Sequence, residues 1–147
     1  MQHKAHSKDL RRGRVSLSGQ IYLVTAVTRE RVPVFALFAA ARCLVAALRT
    51  EALNGRADTL AFVVMPDHLH WLLALTDKSP LSAVVQTVKS VVAHQLGGQI
   101  WQPGFHDRAL RQEDDLPDVA RYVVANPVRA GLVSRVGEYS HWDAVWV

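Results

Sequence analysis

Apolar and polar positions follow two rhythms along this chain. Ile21-Tyr22-Leu23-Val24-Thr25-Ala26-Val27-Thr28 is β-branched and aromatic, interrupted only by Thr25 and Thr28. It reads as a central strand, because both of its faces carry apolar groups. Between Val34 and Leu53 the spacing becomes helical, with Phe35, Phe38, Ala41, Leu44, Val45 and Leu48 recurring in an alanine- and leucine-rich stretch. Asn54-Gly55 ends that helix with residues that tolerate a left-handed cap. Thr59 to Met65 and His68 to Leu75 return to strand. Pro66 and Asp67 separate them as a tight turn, since proline cannot donate to a ladder and aspartate suits a turn. Ser79-Pro80 opens a second helix, with serine as cap and proline in the first turn, which stops at Gly97-Gly98.

Phe105 to Leu110 reads as an edge strand. Acidic residues from Glu113 to Asp118 then begin a third helix, where they favour its positive end. It continues through Tyr122 to Val124, and Pro127 stops it by pushing the preceding residue out of helical geometry. Tyr139, Trp142 and Trp146 are expected to pack back on the core. The order is strand, helix, strand, strand, helix, strand, helix. That is the pattern of an α+β, ferredoxin-like (RRM-like) antiparallel sheet, with helices on one face and an added C-terminal helix.

The chain of 147 residues suits one domain, and 50% apolar composition is enough for a packed core. We expect a flexible basic arm over residues 1–18 and a single domain over 19–147. No apolar run reaches the length of a membrane span, and the first residues lack the apolar core of a signal peptide. A cytoplasmic location is expected. Cys43 is the only cysteine, which excludes thiolate clusters and leaves nitrogen and oxygen ligands for any metal. The net charge is +4. The basic residues Lys4, Lys8, Arg11, Arg12 and Arg14 crowd the first fourteen positions, as in an arm that tracks phosphates or a solvated tail.

Candidate chemistry centres on His68 and His70. In a strand both point to one face while Leu69, Trp71 and Leu73 point to the other. Two imidazoles so placed can share one metal ion, although the same spacing also occurs on a plain solvated face. Tyr122 and Asn126, four apart, share a face of the third helix. A tyrosine hydroxyl is a possible nucleophile for a phosphodiester, and an amide oxygen is a hard donor suited to Mg²⁺ or Mn²⁺. Tyr22 and Tyr139 are available by residue type, and composition does not choose among the three. On the second helix, Lys89 lies on a polar stripe with Gln86, Ser90 and His94 and is a candidate phosphate contact.

The blocks MPDHLHWLL, WQPGFHDRALR and RYVVANPVRAGLV resemble, in order and spacing, the REP-associated tyrosine transposases. Those belong to the IS200-like, single-tyrosine group of the HUH nucleases. The similarity runs over roughly residues 11 to 143. It implies that His68 and His70 form the histidine-hydrophobic-histidine motif, that Tyr122 is the nucleophile, and that Asn126 is a third metal ligand. It implies a divalent metal, Mg²⁺ or Mn²⁺, and a single-stranded DNA partner carrying a palindromic hairpin, bound by a monomer or a homodimer. Cleavage would pass through a 5′-phosphotyrosine link. Arg12, Arg14 and Lys89 are DNA-contact candidates on charge alone. Two rivals stand beside this reading. One is a non-catalytic ferredoxin-like module that stacks bases on Tyr22 and Trp71. The other is a metalloenzyme whose histidines activate water and form no covalent adduct.

Overall fold

The strand β3, His68–Leu75, lies in the middle of a five-stranded antiparallel sheet of order β4-β1-β3-β2-β5. The computed structural model describes residues 19–111 and 113–144. The basic arm, with Arg12 and Arg14, and Trp146 lie outside the described residues. In chain order the elements are β1 (Ile21–Val27), α1 (Phe38–Leu53), β2 (Ala57–Met65), β3, α2 (Leu81–Leu96), β4 (His106–Ala109), α3 (Leu116–Val124), α4 (Asn126–Arg129) and β5 (Trp142–Ala144). The chain is α+β, and its first four strands take the expected split β-α-β arrangement, with β3 inserted between β1 and β2. Among the described residues no helix is long and apolar enough to cross a membrane.

Alternation along β3 divides the interior. Leu69, Trp71, Leu73 and Leu75 join Tyr22, Val24, Phe62 and Val64 against the buried faces of α1 and α2. Trp71 is fully buried, and its indole N–H donates to the Thr59 hydroxyl at 2.9 Å. On the opposite face Leu72 packs with Ala61, Ala120, Val124 and Ala144. Val123 closes on Val63 and Met65. The short helix α3 thus docks on the face that carries the even-numbered residues of β3. It starts at Asp115, whose side chain accepts from the Asp118 N–H at 3.1 Å.

Three local expectations are corrected, and a fourth is made more specific. The first helix begins at Phe38, because Val34–Ala36 form a separate 3-10 turn and Leu37 is extended. The Phe35 N–H is drawn to the Pro66 carbonyl at 2.9 Å, which ties this turn to the β2–β3 hairpin instead. At α2 the capping position is Pro80, with no side-chain cap bond, and Ser79 lies outside the helix. Pro127 does not end the helical path. The chain breaks at Ala125 and resumes as α4 with Pro127 in its first turn, where a missing N–H costs nothing. The tail packs back as expected, and Trp142–Ala144 does so by pairing with β2 as an edge strand.

Trp71 buttresses the strand that bears both histidines. Trp71→Ala should lower the unfolding free energy by about 3–5 kcal/mol, as for other buried aromatic truncations. Urea denaturation followed by far-UV circular dichroism measures it.

Candidate functional site

The hairpin between β2 and β3 turns on two residues, Pro66 and Asp67, and Met65 pairs with His68 at its mouth. Across β1, His68 is opposite Val27 and His70 opposite Thr25. The two imidazoles lie on the α3 face with ring centroids 4.7 Å apart and planes at 84°. Each Nδ1 has a partner. His68 Nδ1 is 2.7 Å from Asp67 Oδ1, and His70 Nδ1 is 3.1 Å from Thr25 Oγ1. In each ring this leaves Nε2 as the nitrogen to meet a ligand, the division of labour common to metal-binding histidines. Among the described residues no group of three from His, Cys, Asp and Glu is placed to hold a metal ion. A third protein donor from these residues therefore has to be of another type.

Asp67 is itself held from the preceding loop. Arg31 Nη1 donates to its Oδ2 at 3.0 Å, and the Thr28 N–H and hydroxyl donate to its carbonyl at 2.9 and 3.0 Å. Glu30 and Arg31 both sit at φ 55, in the left-handed region that non-glycine residues rarely adopt. Strain of this kind persists where surrounding contacts over-determine the backbone, as the bonds from Thr28 and Arg31 do here. Burial pushes the Asp67 carboxyl up. Hydrogen bonds from His68 and Arg31 outweigh that and hold it below the usual carboxylate range. His70 is pushed down to about 4, first by burial and then by the positive charges of His68 and Arg129. It is a neutral imidazole at pH 7, the form that can donate a lone pair.

Residue type leaves three tyrosines open, and the structure separates them. Tyr22 is buried in the main core. Tyr139 donates its hydroxyl to the Val64 carbonyl at 2.6 Å, and burial pushes its phenol up. Tyr122, on α3, is 63% exposed. Arg129 lies over its ring, with the guanidinium carbon 3.7 Å from the centroid, and donates from Nη1 to the Tyr122 carbonyl at 2.7 Å. Asn126 is the first residue of α4, half-buried and between these two in the chain.

Lys89 is not placed as a phosphate contact. Only 6% of it is exposed, and its ammonium donates to the Gln102 and Gly104 carbonyls at 2.9 and 2.6 Å. An amine bound to a loop's backbone is a tether, and its helical polar stripe hides this because sequence does not show which loop covers it. Arg12 and Arg14 lie outside the described residues. Tyr22 and Trp71, the stacking candidates of the binding-module rival, are both interior. Thr25, Asp67 and Arg129 are the site residues that sequence reasoning misses. Asp67 is visible there only as a turn former. Arg129 stands seven residues, or two helical turns, after Tyr122, a signal cancelled by reading Pro127 as a stop.

Comparison with known proteins bears on the same residues. A REP-associated tyrosine transposase of Escherichia coli (strain K12) is 32% identical over 81 residues, which are 54% of this chain and 49% of that protein. A Haemophilus influenzae relative is 26% identical over 100 residues, 57% of each chain. The chain spans about half the length of the curated relatives it matches. Among solved structures, a REP-associated tyrosine transposase bound to a REP hairpin superposes with a TM-score of 0.77 at 25% identity, over 88% of this chain and 79% of that one. A sequence model described as transposase IS200 like matches residues 16–126, a span that takes in β1, the histidine hairpin, Tyr122 and Asn126. With that span covering most of its length, the chain belongs to the IS200-like transposase family.

Proposed function

We propose that this chain is a metal-dependent single-stranded DNA endonuclease and strand transferase that cuts at hairpin-containing repeats through a 5′-phosphotyrosine intermediate. The observation that carries the reading is an exposed tyrosine, Tyr122, on the helix that packs over the sheet face bearing an oriented histidine pair, of which His70 is held neutral. Arg129 connects them, since it stacks on Tyr122 and its charge is felt at His70. The hairpin-bound neighbour supports hairpin DNA as the partner.

The donor set fits a divalent ion. Asp67 and Thr25 orient the two imidazoles by their Nδ1 atoms, and the amide oxygen of Asn126 is the candidate third donor. Mg²⁺ or Mn²⁺ held by His68, His70 and Asn126 would polarise a bound phosphodiester as a Lewis acid. Tyr122 carries the covalent step. Its phenolic oxygen forms a bond to phosphorus, the bond from phosphorus to the 3′ oxygen breaks, the phenolic proton is given up, and the departing 3′ oxygen gains one. The resulting link stores the phosphodiester bond, so a 3′-hydroxyl can attack it later and rejoin strands without an external energy source. The chain would act as a monomer or a homodimer. The arm with Arg12 and Arg14 adds affinity by neutralising phosphates.

The test is a denaturing gel of the full chain incubated with Mn²⁺ and an end-labelled pool of single-stranded hairpin DNAs. A covalent protein–DNA band is expected. Cleavage without a band would favour water activation, and binding without cleavage a pure binding module. Tyr122→Phe should bind the pool as before and cut at least about 10³-fold more slowly, the scale seen when a nucleophile is removed. His68→Ala or His70→Ala should bind DNA, lose Mn²⁺ binding by calorimetry and form no adduct.

The neutral state of His70 also has a thermodynamic consequence. The folded chain protonates it only near about 4, against an ordinary value of 6.5. Between those values the unfolded state holds more protons, so stability is complete above about pH 6.5 and declines as pH falls toward about 4. Thermal melts across pH 7.5 to 4.5, in roughly half-unit steps, should show a fall that is shallower in His70→Asn.

A further inference from the structure

We propose that Arg129 is the positioning residue of Tyr122, holding the phenol ring in its attacking orientation; the inference rests on Tyr122 being the nucleophile. An exposed tyrosine on a helix ordinarily samples several rotamers. Here the guanidinium lies 3.7 Å from the ring centroid. A planar, weakly hydrated cation on an aromatic face is a favourable contact that restricts ring rotation. The same group anchors itself, since its Nη1 donates to the Tyr122 carbonyl at 2.7 Å. That carbonyl is in the last turn of α3, where helix ends leave oxygens without intrahelical partners and where a cation is favoured. One side chain therefore fixes both the backbone and the ring of a single residue. It can do so because α4 continues the helical path past Pro127 and carries Arg129 back over the tyrosine.

Arg129 is exposed and stands apart from the packed face of α3, which is built from Ala120, Val123 and Val124. A surface arginine that grips both the ring and the backbone of Tyr122 governs where the phenolic oxygen lies. A misplacement of about 1 Å at a reacting group can cost about 10²-fold in rate.

The experiment compares the full-length wild type with Arg129→Ala and Arg129→Lys, using Mn²⁺ and the end-labelled hairpin pool. Adduct formation is timed at saturating DNA, and DNA affinity is measured separately. Arg129→Ala should slow the adduct about 10- to 100-fold at saturation while leaving affinity within about threefold. Arg129→Lys should rescue little, because an ammonium cannot lie flat on the ring. Millimolar guanidinium should restore part of the rate to Arg129→Ala and none to the wild type, which a general structural role would not produce. An unchanged saturating rate in Arg129→Ala would overturn the inference and leave Tyr122 as nucleophile. Lost affinity with an intact saturating rate would also overturn it, and would make Arg129 a phosphate contact. No adduct on Tyr122 in the wild type would overturn both this inference and the proposed function.

Discussion

The site depends on β3 being paired on both edges. Hydrogen bonding to β1 and β2 fixes its register, and register fixes which face each side chain takes. A slip of one residue would turn His68 and His70 into the core and expel Trp71. The hydrophobic demand for Leu69, Trp71 and Leu73 on the α1–α2 side is therefore what holds the two imidazoles on the α3 side. The energy that specifies the histidines comes from their neighbours. The polar bonds to Asp67 and Thr25 then set the rings, a refinement made possible by a backbone already immobile.

The second half of the site is attached by the same logic. Helix α3 has one apolar face, Ala120, Val123 and Val124, and it buries this on residues of β2 and β3 next to the histidines. That leaves Tyr122 on its outer side. Beside it, the break at Ala125 and restart at Asn126 matter more than the helix itself, because they bring Arg129 onto the ring. The strained Glu30–Arg31 turn plays the corresponding part at the hairpin, where Arg31 secures Asp67. Each half of the candidate site is thus held by a neighbour from a loop or a helix end, set on a rigid sheet.

Much of this is legible in the chain. The period-two runs and the Pro66-Asp67 turn place four strands, and the alternation in HLHWLL assigns the histidines to one face. What is not legible has a common cause. Lys89 and Gln86 look alike on a helical stripe, and only the fold of the Gln102–Gly104 loop distinguishes the tethered amine from the exposed amide. Pro127 looks like a stop because its local preference is against helix, yet the first turn of a new helix tolerates it. The edge strand at Trp142 is too short to show a period. Local rules fail where a distant segment or a helix end changes the context.

The neutral His70 shows how fold and chemistry are joined. An imidazole in water is partly protonated near neutrality, and a protonated ring cannot donate to a metal. Burial suppresses that proton, and the charges of His68 and Arg129 act in the same direction. The price is stability in mild acid. Had Arg129 been an acid, the opposite charge would have favoured the protonated ring and weakened it as a ligand. Under the proposed function, a cation near the two histidines is electrostatically unfavourable once a divalent ion is bound, so holding Arg129 there takes a compensating interaction. The stacked, hydrogen-bonded tyrosine supplies one.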